Sequence, residues 1–221
     1  MGGLFCRGED RRPQDRRGTC PHRCPQDRQG AVAMTPVAGK ATLARLVQEA
    51  CYLQGHFVLR SGQTADFYFD KYLFESDPRL LRAIAELAAP MVPEGTEVLA
   101  GLELGGVPIS TALSLLTGLP QVLVRKQAKA HGTAKLAEGP DVAGRRLTIV
   151  EDVVTTGGQV VMSAEQLRAR GAIVGPVLCV IDRRPPGGPG TGTDVLSPAG
   201  LSLSSLFNLE DLLGAPSDRA R

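Results

Sequence analysis

From Leu43 onward the apolar positions fall at 43, 46, 47, 50 and 51, one face of a helix, and Gly55 is placed to end it. Phe57-Val58-Leu59 and Phe67-Tyr68-Phe69 predict two short strands around the polar turn Ser61-Gly62-Gln63-Thr64. Ser76-Asp77-Pro78 signals a second helix, with proline suited to its first turn. Its apolar face is Leu80, Leu81, Ile84, Leu87, Ala88 and Met91. After this the pattern changes. A strand at 97–101 leads through Gly105-Gly106-Val107-Pro108 into a helix ending near Leu116. Strand 121–125, strand 146–150, a helix over about 158–170 and strand 173–181 follow.

Strands alternating with helices predict an α/β fold, a mostly parallel sheet with helices on both faces. Such sheets bind ligands at the carboxyl ends of their strands. Glu151, Asp152, the glycines and Arg125 all fall there. Residues 126–143 have no apolar period and carry Lys126, Lys129, His131 and Lys135. A long stretch of this kind inside a domain predicts a mobile loop that closes over an anion.

The segment from Arg146 to Gln159 carries the most chemistry. A β-branched apolar run ends in Glu151 and Asp152, and Val153-Val154-Thr155-Thr156-Gly157-Gly158-Gln159 leads into a helix. A small-residue turn before a helix offers N–H groups and hydroxyls to an anion. The adjacent carboxylates can hold a cation or the hydroxyls of a sugar. Together they suit a ligand with both phosphate and ribose.

Composition narrows the class. The chain of 221 residues is long enough for one domain with a full core. Residues 1–33 hold seven Arg and four acids, a charge of +3. The other 188 residues therefore sum to −1, which excludes a basic nucleic-acid binder. No apolar run is long enough to span a membrane, and no secretory signal fits the start, so the cytoplasm is the expected location. Of the five cysteines, Cys51 and Cys179 sit in apolar stretches and read as core residues. Cys20 and Cys24 flank His22, but a zinc site needs a second ligand pair. Four segments are expected: a disordered extension over 1–33, with Met34 as a candidate native start; a helix and hood over 34–75; the core over 76–213; and a tail over 214–221.

The residues from Glu151 to Gly158 resemble the phosphoribosyl pyrophosphate (PRPP) motif of type I phosphoribosyltransferases. Arg125-Lys126-Gln127-Ala128-Lys129-Ala130-His131-Gly132 resembles the catalytic loop of the orotate phosphoribosyltransferase family. Phe57 to Gly62 with Phe67 to Asp70 resembles its N-terminal hood, and Ile181-Asp182-Arg183 its late strand. The four blocks occur in family order over about 41–213, and their combination is more specific than any one. Two positions depart from the pattern. Arg60 stands where lysine is usual, and Gly105 where several bacterial relatives carry a lysine.

The resemblance implies a type I phosphoribosyltransferase fold with a small hood. It implies transfer of ribose 5-phosphate from PRPP to orotate. Arg125, Lys129, His131 and Asp152 become candidate catalytic groups. PRPP would be held by Arg125, Lys126, Lys129, His131 and the run from Glu151 to Gln159. Orotate would meet Thr155, Arg183, Arg60, Phe67 and Tyr68. Mg²⁺ is the implied cofactor, bound mainly through PRPP, with Asp152 reaching it through water and no direct protein ligand. A homodimer sharing its catalytic loops is also implied. The alternatives are the same fold acting on a purine or uracil, and a non-catalytic PRPP-sensing regulator.

Overall fold

The computed structural model describes residues 39–58, 62, 64–126, 136–184 and 195–213. The expected extension over 1–33 and tail over 214–221 lie outside them. The described residues all fall within one unit, Pro36–Arg221. No helix among them is long and apolar enough to cross a membrane.

Helix α1 (Lys40–Cys51) buries Leu43, Val47 and Cys51 of the predicted stripe and also Ala44, while Leu46 and Ala50 are half-buried. It ends at Cys51 rather than Gly55, because the chain turns directly into strand β1 (Tyr52–Val58). Gly55 lies within β1, where the pairing with β2 (Thr64–Phe69) shifts register between Gln54 and Phe57. The two strands form an antiparallel hairpin. A short helix α2 (Tyr72–Ser76) follows and inserts Phe74 into the core, fully buried.

Helix α3 (Pro78–Ala88) starts where the sequence signals it. The Asp77 carboxylate accepts from the backbone N–H groups of Arg79 at 2.8 Å and Leu80 at 3.4 Å, with proline next to it. Such a cap stabilises a helix by about 1 kcal/mol. A turn of 3-10 helix at Ala89–Met91 then carries the chain to the sheet.

The sheet contains β3 (Val98–Leu102), β4 (Gln121–Val124), β5 (Ala137–Glu138), β6 (Arg146–Val154), β7 (Ile173–Asp182) and β8 (Ser202–Asn208). Their order is β5-β4-β3-β6-β7-β8, parallel except for β5. Helix α4 (Gly106–Thr117) follows β3, α5 (Gly158–Arg168) follows β6, and α6 (Leu209–Leu213) follows β8. Successive residues of a strand point to opposite faces, and the core divides accordingly. Leu99, Val150, Leu178 and Val180 pack with α1, α3, α4 and α6. Val98, Ala100, Ile149, Val177 and Cys179 pack with Val160, Ala164 and Leu167 of α5. Cys51 and Cys179 are buried core residues, as their apolar settings predict. Strand β6 runs four residues beyond its predicted end. Val153 and Val154 still pair with Ile181 and Asp182 of β7, whereas the pairing with β3 stops at Val150.

Candidate active site

Strand β6 carries Glu151 and Asp152 past the end of its β3 pairing, so one edge of this segment faces the β3–α4 turn. Because side chains alternate along a strand, the two acids leave β6 on opposite sides. They meet different surroundings. Asp152 is fully buried, and its Oδ2 forms an ion pair with the Nζ of Lys71. Its Oδ1 accepts the Val153 N–H at 2.6 Å. Glu75, 7% exposed, packs against the same carboxylate. Burial works to raise the Asp152 carboxyl, but hydrogen bonding with Glu75 and Lys71 and the charge of Lys71 outweigh it and hold it below its ordinary value. Glu75 is pushed up, first by burial and then by its contact with Asp152, so it keeps its proton beside the ionised aspartate.

Glu151 lies half-buried, and its Oε2 has no hydrogen-bond partner among the described residues. Burial, then the charge of Asp152, pushes its carboxyl up to about 9. An orphaned carboxylate oxygen of this kind fits a ligand that brings hydroxyl donors or a cation to it. Among the described residues no group of three or more His, Cys, Asp or Glu could hold a metal ion.

The β3–α4 turn explains Gly105. Its φ is −71°, which any residue can adopt. A Cβ there would nevertheless overlap Asp152 Oδ2 and come within 2.6 Å of Glu75 Oε1. At Gly106 a Cβ would overlap the Val150 carbonyl oxygen. Both glycines let the start of α4 rest on β6 and its acid cluster. The Glu103 carboxylate accepts the Lys126 N–H at 2.7 Å and so ties this turn to the end of β4. Arg125 is half-buried there, its N–H bonded to the Leu136 carbonyl at 2.9 Å, and Lys126 is exposed.

After β6 the chain exposes Thr155 and Thr156, then turns at Gly157 with φ 79° into α5. A Cβ on Gly157 would lie 3.0 Å from Val195 and 3.1 Å from Leu196, so both conformation and space require glycine. Gly157 caps α5 with no side-chain bond, which leaves the helix's first N–H groups for a ligand. Gly158 is exposed, and Gln159 reaches Ser163 Oγ at 3.3 Å. At the end of β7 the exposed Arg183 donates its backbone N–H to the Val154 carbonyl at 2.9 Å. This bond places the start of the Arg183 side chain beside the end of β6.

The structure thus groups Glu151 to Gln159, Arg125, Lys126 and Arg183 along one end of the sheet. It buries Asp152: the carboxylate expected to meet ribose hydroxyls or metal-bound water has no exposed surface here and faces Lys71 and Glu75. Tyr68 is 43% exposed on the hairpin, its ring 5.5 Å from that of Phe57. Phe67 pairs with Gln54 through its backbone. Arg60, Lys129, His131 and Lys135 lie outside the described residues. Lys71 and Glu75 escaped the sequence reading. Their spacing of four residues on either side of the buried Phe74 was the one available signal.

The phosphoribosyl transferase domain family matches residues 74–189. An orotate phosphoribosyltransferase of Nocardioides sp. (strain ATCC BAA-499 / JS614) is 59% identical over 147 residues, which are 66% of this chain and 82% of that protein. The orotate phosphoribosyltransferase of Mycobacterium tuberculosis H37Rv, solved with Fe(III) dicitrate, superposes with a TM-score of 0.69 at 34% identity, covering 78% of this chain and 98% of that one. Solved with PRPP, the same enzyme gives a TM-score of 0.64 at 29% identity, covering 78% and 98%. With a phosphoribosyl transferase domain matched over more than half of the chain and a relative 59% identical over two thirds of it, the chain belongs to the orotate phosphoribosyltransferase family.

Proposed function

We propose that this protein transfers ribose 5-phosphate from PRPP to orotate, giving orotidine 5′-monophosphate and pyrophosphate, a step toward UMP. The observation that carries the reading is the β6–α5 junction: a carboxylate with an unsatisfied buried oxygen, two exposed threonines and an uncapped helix start in nine consecutive residues. The amides and hydroxyls from Thr155 to Gln159 hold the 5′-phosphate at the start of α5. Glu151 accepts from the ribose hydroxyls, which satisfies Oε2. Arg183 meets the orotate carboxylate in a charge-assisted fork, and Thr155, Arg60, Phe67 and Tyr68 complete the base pocket.

N1 of orotate loses its proton and bonds to C1 of the ribose as the bond from C1 to the pyrophosphate oxygen breaks, and the proton ends on the released pyrophosphate. Negative charge grows on the departing pyrophosphate. Arg125, Lys126, Lys129 and His131 face that charge and stabilise it more in the transition state than in the ground state. Mg²⁺, when bound, would supply positive charge to the leaving group; it would be held mainly through PRPP, with Glu151 the β6 carboxyl whose unpartnered oxygen could help hold it. We place the enzyme in the cytoplasm as a homodimer whose catalytic loops cross between subunits. Activity restored on mixing Lys129→Ala with a Gly157 variant supports the shared site, and no restoration despite subunit exchange refutes it.

The deciding assay is PRPP- and Mg²⁺-dependent loss of orotate absorbance, run beside uracil, adenine, hypoxanthine and guanine. Turnover of orotate alone is expected. Turnover of another base in preference to orotate overturns the reading of the acceptor, and no turnover of any base overturns the enzyme.

A further inference from the structure

The donor substrate proposed above carries two anionic groups at opposite ends of its ribose; the α5 start takes the phosphate, and the cations at and after the end of β4 face the diphosphate. The described part of the site has one cation whose role is unexplained. Lys71 follows the hairpin and precedes α2, and its side chain reaches Asp152 beside Gly105. A lysine ammonium has three donors, and the Asp152 carboxylate takes one. The side chain is 33% exposed although its partner is fully buried, so it spans from the sealed acid to the open side of the cluster. The Tyr72 ring, 5.3 Å from Nζ, lies beside it. Asp152 does not depend on this lysine alone, because Val153 N–H and Glu75 also contact it.

We infer that Lys71 is a donor-binding residue: it contacts the diphosphate of PRPP while Asp152, anchored by Glu75 and the Val153 amide, holds its ammonium at the β3–α4 turn. Two features support this placement. The turn itself offers no cationic side chain, since Glu103, Leu104, Gly105 and Gly106 precede the body of α4. Gly105 is also so close to Asp152 that no side chain from the turn can occupy the position Lys71 reaches. At this turn a positive charge is therefore supplied by Lys71, in addition to the cations at and after the end of β4.

The inference rests on the donor reading, so the test separates them. Binding of PRPP and of ribose 5-phosphate is measured by calorimetry for the wild type, Lys71→Met and Lys71→Arg. Wild type that does not bind PRPP overturns the proposed function, and this inference with it. With wild-type binding established, Lys71→Met is expected to weaken PRPP by about tenfold or more, with ribose 5-phosphate affinity unchanged, and Lys71→Arg to restore most of the loss. Equal losses for both ligands mean that Lys71 only neutralises Asp152, and unchanged PRPP affinity means that it plays no part; either overturns the inference. If Lys71→Met does not fold, Lys71→Gln keeps a donor for Asp152 without the charge and supports the same comparison.

Discussion

Asp182 holds Arg184 in a two-point fork, Nε to Oδ1 at 2.8 Å and Nη2 to Oδ2 at 2.6 Å. The pair is mostly buried, with 19% of the Asp182 side chain and 13% of the Arg184 side chain exposed. Of the two adjacent arginines, Arg184 is thus committed to locking the end of β7. The guanidinium of Arg183 has no partner among the described residues. Arg183→Ala is expected to weaken orotate binding by about 10- to 100-fold, the loss of a charge-assisted fork worth about 1.5–3 kcal/mol. PRPP affinity is expected to stay near the wild-type value. Direct titration of both ligands checks this, and an unchanged orotate affinity refutes the role.

Gly105→Ala adds one carbon where Asp152 Oδ2 already lies. Since the φ at this position suits alanine, the whole cost comes from space. Either the start of α4 moves away or Asp152 leaves Lys71, at a cost of about 1–3 kcal/mol. A lower midpoint in denaturant with an unchanged slope, together with weaker PRPP binding, is the expected result.

Glu151 makes stability depend on pH in the free protein. Its carboxyl rises from an ordinary 4.5 to about 9, chiefly through burial. Folding therefore favours the protonated form. This contribution is complete below about pH 4.5 and is lost as pH rises toward 9. Glu151→Gln mimics the protonated acid at every pH. The variant's melting temperature should exceed the wild type's at pH 8, and the two should converge near pH 4.5. Asp152 shifts the opposite way but is present in both proteins, so to first order it cancels in the difference.

Arg168 joins three segments at the far end of α5. Its guanidinium donates to the carbonyls of Val174 at 2.6 Å, Ala199 at 2.7 Å and Gly200 at 3.2 Å. Removing it leaves these acceptors without their charged donor, at about 2–4 kcal/mol in total. Arg168→Ala should melt roughly 5–15 °C lower, at about 2–4 °C per kcal/mol for a domain of this size. Base selectivity should not change, because the residue stands opposite the ligand end of the sheet. A scanning melt and the same base panel test both halves.

Most of the fold could be read along the chain because its strands are apolar runs and its helix starts carry local chemistry. Asp77 with Pro78 marks α3 without tertiary information, and Thr155 to Gly158 marks the turn before α5. The misreadings have physical causes. Gly55 follows a helical stripe closely enough to look like its stop, yet a bulged strand can use the same residue. Strand β8 is rich in serine and sits at the edge of the sheet, so no apolar run announces it. Helix α2 has five residues, too few for a period to show. Lys71 just before it and Glu75 within it look like a solvated pair; only the packing of Phe74 turns them toward Asp152. The motif located the two acids, but the buried side-chain partners of Asp152 come from residues 77 or more positions away.

The bond from Arg183 N–H to the Val154 carbonyl fixes a backbone and leaves a side chain at liberty. The segment proposed to hold the sugar donor and the residue proposed to select the acceptor thus share a main-chain joint. Changing the side chain at 183 leaves this joint intact. Replacing the segment as a whole would pull on the last residue of β6. For anyone redirecting this scaffold to a new base, point substitution is therefore the safe route, and loop grafting across 182–184 is the one that risks the donor site as well.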